Sequence, residues 1–143
     1  MINNKQKLSI LGSTGSIGTQ ALEIVDNYSD RYEVVALAAK DEVKELSLQI
    51  QKYKPKIVAV SSELAYKELK LEWGHISDFV LGNEGLAEAA SYADVDTTII
   101  ALSGAVGILP TLSAIQAKKR IALANKETLV AAGHIVMQEV AQH

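Results

Sequence analysis

The chain of 143 residues has no cysteine, only two prolines, and one residue each of tryptophan and phenylalanine. Without cysteine there is no disulfide framework, no thiolate metal site and no cysteine nucleophile. Aromatic residues make up 5% of the chain, so a core must be built from Ala, Val, Ile and Leu. That mixture suits helices packed on a parallel sheet. No apolar run is long enough to span a bilayer, and Met1-Ile2-Asn3-Asn4-Lys5-Gln6 has no apolar signal core. A soluble cytoplasmic protein without a membrane partner is expected. An excess of positive charge is also missing. The net charge of −3 argues against a nucleic-acid partner. The three histidines, His75, His134 and His143, show no metal-ligand spacing, so no metal site is expected within the chain.

What is present is ample apolar material, 48% of the residues, in a length typical of one domain. No linker or low-complexity tract interrupts it, and a single domain over residues 1–143 is expected. Short apolar runs at Leu8–Leu11, Glu33–Ala38, Ile57–Val60, Asp78–Leu81, Thr97–Leu102 and Arg120–Ala124 predict strands. Helical patterns lie between them. The first carries Ile17, Ala21, Ile24, Val25 and Tyr28, and the second Val43, Leu46, Ile50 and Tyr53. Leu64, Tyr66, Leu69 and Leu71 fall in a third, and Leu86, Ala89 and Ala90 in a fourth. Leu109, Leu112, Ile115 and Gln116 mark a fifth, whose first turn tolerates Pro110. Leu129, Ala132, Val136 and Val140 mark a last helix. Six strands alternating with helices imply right-handed crossovers: an α/β, Rossmann-like, doubly wound parallel sheet with helices on both faces.

The segment Leu11-Gly12-Ser13-Thr14-Gly15-Ser16-Ile17-Gly18 carries three glycines at a spacing of three, between the first strand and the first helix. This order suits a dinucleotide diphosphate. Gly12 allows a tight exit from the strand, Gly15 lets the backbone approach the diphosphate, and Gly18 lets the helix pack close to the sheet. The helix N-terminus adds free N–H groups and a partial positive charge.

Ligands of such sheets bind at the carboxyl ends of the strands. That edge collects the glycine loop, Lys40-Asp41-Glu42 after strand two, Ser103-Gly104 after strand five and Asn125-Lys126-Glu127 after strand six. Lys118-Lys119-Arg120 enters strand six and belongs to the opposite edge, as a solvated helix end. After strand two, an acid binds the 2′-hydroxyl of NAD and a basic residue accommodates the 2′-phosphate of NADP. Both signs occur here. Asp41 also suits an N-cap and Glu42 a first helical turn; Lys40, the one cation there, favours NADPH. Ser103, with no base placed to serve it, is a small residue where chain and cofactor approach.

Asn125-Lys126-Glu127 interrupts an apolar run with consecutive polar groups at a strand end. Capping accounts for Asn125 and Glu127 but not for Lys126, since a cation opposes the positive end of a helix. Lys126 is suited to a substrate phosphate or to charge developing on an oxygen. Asn125 is suited to the nicotinamide or its ribose, and Glu127 to fixing Lys126 or a ribose hydroxyl.

Together, the glycine loop, Ala122-Leu123-Ala124-Asn125-Lys126-Glu127-Thr128-Leu129-Val130 and Gly104-Ala105-Val106-Gly107-Ile108-Leu109-Pro110-Thr111-Leu112 resemble the N-terminal domain of the 1-deoxy-D-xylulose 5-phosphate reductoisomerase family. The resemblance covers nearly the whole chain. It implies NADPH-dependent rearrangement and reduction of 1-deoxy-D-xylulose 5-phosphate to 2-C-methyl-D-erythritol 4-phosphate in non-mevalonate isoprenoid synthesis. It also implies a divalent metal, Mg or Mn, and a homodimer, both for the full-length family. Carried over, Thr14, Gly15, Ser16, Ile17, Asn125 and Glu127 would contact NADPH, and Lys126 the substrate. Two departures stand out. Where the family has a Gly-Lys-Asn-like or Gly-Ser-Asn-like turn after strand two, this chain has Lys40-Asp41-Glu42. The Asp-Ser-Glu metal motif of the family is not within these residues, so the chain is expected to bind NADPH without turning over substrate. Aspartate-semialdehyde or homoserine dehydrogenases, and a non-enzymatic nucleotide sensor, are the alternatives.

Overall fold

The computed structural model describes residues 4–124. Six strands form one sheet: β1 (Gln6–Leu11), β2 (Tyr32–Ala39), β3 (Ile57–Val60), β4 (Asp78–Leu81), β5 (Thr97–Ile100) and β6 (Arg120–Leu123). Their order is β4-β3-β2-β1-β5-β6, and every adjacent pair is parallel. The connecting helices are α1 (Ser16–Asn27), α2 (Val43–Tyr53), α3 (Glu63–Trp73), α4 (Gly82–Ala90) and α5 (Ile108–Gln116). The predicted last helix, with Leu129, Ala132, Val136 and Val140, lies outside the described residues, as do Asn125, Lys126 and Glu127.

The chain first steps outward from β1 to β4, then crosses back over the sheet to β5 on the far side of β1. This reversal divides the core into two layers. Leu22 and Val25 of α1, Leu46 and Ile50 of α2, and Leu69 of α3 pack with Ile10, Leu37 and Val58 on one face. Leu86, Ala89 and Ala90 of α4 and Ala114 of α5 pack with Leu11, Val35, Ala36 and Ala59 on the other. Strands covered on both faces read as continuous apolar runs, which is why β2 is buried from Val34 to Ala39. Two strand hydroxyls tie down the end of α4. Ser9 Oγ donates to Ala89 O at 2.9 Å and Thr98 Oγ1 to Ala90 O at 2.6 Å, giving partners to carbonyls the helix itself leaves free.

Several predicted helix faces are rotated. In α1 the buried stripe is Gly18, Leu22 and Val25, while Ile17, Ile24 and Tyr28 stand about half exposed. Two apolar stripes run side by side on this helix, and periodicity cannot choose between them. In α3 the buried residues are Ala65 and Leu69, whereas Leu64 is 78% and Leu71 91% exposed. In α5 Leu109 is about half exposed and Pro110, Thr111, Ala114 and Ile115 face inward. Pro110 sits in the first turn, and α2 ends just before Lys54-Pro55, with Lys54 left-handed at φ 49°. Among the described residues, no helix is long and apolar enough to cross a membrane.

Candidate functional site

The reversal of strand order between β1 and β5 opens a crevice at the carboxyl ends of the strands, the position where ligands bind such sheets. It encloses about 470 Å³ and is lined by Gly12, Thr14 and Gly15 from the first loop and by Lys40 and Glu42 from the second. Ser61 after β3, Leu86 of α4, and Ala101, Leu102, Ser103 and Val106 after β5 complete the wall. β5 was expected to run to Leu102. It ends at Ile100, and Ala101 and Leu102 leave the sheet to become crevice wall. Their apolar side chains prolong the strand pattern in the sequence, and the N–H of Ala101 still donates to Leu11 O of β1 at 2.8 Å.

The three glycines of the loop do different work. Gly12 has φ +87°, and a Cβ there would stand 2.4 Å from the carbonyl oxygen of Ala101. Only glycine fits this exit from β1. A Cβ on Gly18 would fall 2.0 Å from Gly12 O, so α1 rests directly on the turn. Gly15 is different. The nearest atom to a Cβ there is Gly12 O at an ordinary 3.5 Å, and the residue lines the crevice. Its missing side chain leaves space for a ligand, not for neighbouring protein. Ser16 and Ile17 begin α1 and are exposed, but neither lines the crevice.

Four hydrogen bonds tie the loop to its surroundings. The N–H groups of Gly12 and Ser13 both donate to Ala38 O, at 2.8 and 2.9 Å. Gln49 Nε2 of α2, buried, donates to Ser13 O at 2.9 Å. Thr14 Oγ1 donates to Glu42 Oε1 at 2.7 Å, across from the loop after β2. The second oxygen of Glu42 accepts the N–H of Asp41 at 2.8 Å. These donors, Thr14 first, pull the Glu42 carboxyl down to about 2, and the carboxylate is ionised at neutral pH. The hydrogen-bonded Glu42 in turn raises the Asp41 carboxyl.

The capping roles expected for Asp41 and Glu42 do not appear. Glu42, not Asp41, occupies the N-cap of α2, and its side chain makes no capping bond. It reaches sideways to Thr14 instead. Lys40 lies on the crevice wall and is exposed, while its carbonyl accepts the N–H groups of Ser61 and Ser62 at 3.1 Å. Asn125, Lys126 and Glu127 fall outside the described residues, but Ala124 N–H donates to Ile100 O, so the chain leaves β6 at the same edge. Lys118, Lys119 and Arg120 lie at the opposite edge, in a broad hollow with Asp94 and Asp96. No group of three or more His, Asp or Glu able to hold a metal ion occurs among the described residues.

The crevice fits the extended diphosphate of a dinucleotide: glycine backbone on its floor, a helix N-terminus beside it and two strand ends flanking it. Comparison with known proteins agrees. The family model for 1-deoxy-D-xylulose 5-phosphate reductoisomerase matches residues 8–133. The chain belongs to this family.

The reductoisomerase of Shouchella clausii is 46% identical over 132 residues, which are 92% of this chain and 35% of that protein. That of Heliobacterium modesticaldum is 51% identical over 135 residues, 92% of this chain and 34% of that protein. A solved reductoisomerase in complex with NADPH, fosmidomycin and magnesium superposes with a TM-score of 0.92 at 38% identity, covering 96% of this chain and 34% of that one. The Zymomonas mobilis enzyme in complex with NADPH gives 0.91 at 35% identity, over 98% of this chain and 37% of that one. The chain thus spans about a third of the length of the relatives it matches. A homoserine dehydrogenase of Archaeoglobus fulgidus, at 20% identity and a TM-score of 0.58, shares the fold alone. The dehydrogenase alternative is therefore not favoured.

Proposed function

We propose that residues 1–143 form a single unit, the NADPH-binding domain of a 1-deoxy-D-xylulose 5-phosphate reductoisomerase. One observation carries this most directly. Gly15 has room for a Cβ on the protein side and opens onto the crevice, as a residue kept bare for a ligand would. Gly12, Thr14, Gly15, Ser16, Ile17 and Gly18 build or flank the diphosphate cradle. Lys40 and Glu42 stand where the adenosine ribose would lie. When bound, NADPH supplies a hydride to the carbonyl carbon of the substrate's rearranged form. The protein's task on this side is to hold the reductant along the sheet edge and exclude water from it. Leu86, Leu102 and Val106 supply the apolar wall for that purpose.

Asn125 and Glu127 extend the cofactor site, and Lys126 binds the substrate, 1-deoxy-D-xylulose 5-phosphate, whose phosphate and hydroxyls suit an ammonium group. These roles rest on the motif and on the course of the chain out of β6. Among the described residues no group of three or more His, Asp or Glu could hold a divalent metal. We further propose that the chain works within a soluble, cytoplasmic homodimer and binds no nucleic acid.

Titrating the 143-residue chain into NADPH, with the fluorescence of the reduced nicotinamide as signal, tests the cofactor site. Saturable one-to-one binding is expected. No binding at millimolar concentrations would overturn it.

A further inference from the structure

The buried side chains of α2 are Leu46, Gln49 and Ile50, and only Gln49 is polar. A carboxamide is costly to bury unless it is hydrogen-bonded. Among the described residues its bond runs from Nε2 to Ser13 O at 2.9 Å, and Oε1 meets no protein donor. An apolar side chain of the same length would fill this place without leaving an oxygen unpaired. What the glutamine does here, it does through Ser13 O. That carbonyl and the N–H of Thr14 belong to one peptide unit. The described chain has no cis peptide bond, and across a trans unit C=O and N–H point in opposite directions. Ser13 is fully buried, whereas Thr14 lines the crevice. Gln49 draws the carbonyl toward α2 and so turns the Thr14 N–H away from it. The other N–H groups of residues 12–15 are committed: those of Gly12 and Ser13 to Ala38 O, and that of Gly15 to Gly12 O. The Thr14 N–H makes no hydrogen bond with the described residues.

We propose that Gln49, which lines no part of the crevice, is a positioning residue for the dinucleotide: by holding Ser13 O it presents the Thr14 N–H to the diphosphate. This rests on the crevice being the dinucleotide site and adds to it a residue of α2 that never touches the ligand. Hydrogen bonds to a charged acceptor are the strong ones, and a donor aimed before the ligand arrives needs no ordering on binding. Without Gln49 the Ser13–Thr14 peptide unit is free to rotate. Its carbonyl oxygen would then turn toward the anion in place of the N–H and repel it.

The test combines amide NMR of the ¹⁵N-labelled 143-residue chain with fluorescence titration of NADPH, on the unmodified protein and on Gln49→Met. On saturation of the unmodified chain with NADPH the Thr14 amide proton should move downfield, as a proton entering a hydrogen bond to an anion does. Binding without that shift overturns the proposal, whatever the variant does. Failure of the unmodified chain to bind NADPH is a different result and overturns the dinucleotide site itself. Gln49→Met keeps the length of the side chain and removes the donor. Its affinity for NADPH should fall about tenfold or more, the worth of one hydrogen bond to a charged group, and Thr14 should lose most of its shift. Affinity within about threefold of the unmodified chain, or an unchanged Thr14 shift, overturns the role of Gln49. The Gly12 and Ser13 amides, tied to Ala38 O, should keep their ligand-free positions in the variant. If they move as far as Thr14 does, the loop has collapsed as a whole, and a purely structural role replaces the positioning one.

Discussion

The carbonyl oxygen of Gly12 lies 2.0 Å from the point where a Cβ on Gly18 would stand. The turn after β1 and the first turn of α1 therefore share one space, closed to any side chain. Gly18→Ala should destabilise the fold by about 1–3 kcal/mol, the usual cost of forcing an extra group into a packed site. Thermal or urea unfolding measures it.

Gly15 should behave in the opposite way. Its backbone is extended, with φ −82° and ψ 178°, and a Cβ meets only an ordinary contact. Gly15→Ala should unfold at the same midpoint as the unmodified chain and bind NADPH about tenfold more weakly, a loss of roughly 1.4 kcal/mol. Gly15→Val should abolish binding of both NADPH and NADH. Unchanged affinity in the valine variant would show that the loop does not hold the diphosphate.

Two leucines of one helix should separate by burial. Leu69 is fully buried against the sheet while Leu71 is almost fully exposed. Leu69→Ala should cost about 2–5 kcal/mol. Leu71→Ala should stay within about 0.5 kcal/mol of the parent. Chemical denaturation of both variants makes the comparison.

The acids after β2 set a pH dependence. The Glu42 carboxyl drops from its ordinary 4.5 to about 2 on folding, first through the Thr14 hydroxyl and then through the Asp41 N–H. A depressed carboxyl contributes stability that is present in full above its unfolded pKa and is lost as pH falls through its folded pKa. The stability advantage of the parent over Glu42→Gln should be complete above about pH 4.5 and shrink toward pH 2. Urea midpoints of the two proteins across this range would show it, and a constant gap would contradict it.

The outer ends of α1 and α2 are joined by polar contacts. Tyr53 Oη donates to Asp26 Oδ1 at 2.7 Å, and Lys52 Nζ reaches Asp26 Oδ2 at 2.8 Å. Tyr53→Phe should cost about 0.5–1.5 kcal/mol, the net worth of one hydrogen bond, read from equilibrium unfolding.

The strands were legible in the sequence because a sheet covered on both faces needs unbroken apolar runs. Ile57–Val60 and Asp78–Leu81 match their predicted bounds residue for residue. Where an apolar residue serves something other than the sheet, the pattern misleads. Ala101 and Leu102 extend the β5 run but line the crevice, and Ile24 and Leu64 carry a helical period on a solvent-facing side. The glycine loop was legible for a different reason. Its backbone geometry admits few residue types, so chemistry and sequence are tied locally. The positions of Thr14 and Glu42 were equally visible, but their hydrogen bond, between residues 28 apart in sequence, was not. The contact of Gln49 with Ser13 O joins residues 36 apart and was hidden in the same way. Local pattern names the parts of the site, and only the packing of α2 against the loop says how they are wired.

The central place of β1 has a consequence for how the protein is made. β1 is the first of the described strands to be synthesised, yet one of its two neighbours, β5, pairs Leu8 with Thr97 and follows only after four strands and four helices of the described chain. On the ribosome, β1, β2, β3 and β4 are available to assemble while the other edge of β1 remains bare, and a bare parallel edge is a template for mispairing. The glycine turn meets the carbonyl of Ala101 only when that edge is closed. A nascent chain therefore gains this crevice only in the last stage of building the described sheet. A ligand held in the crevice would reward completion of the fold and offer no help to the steps before it.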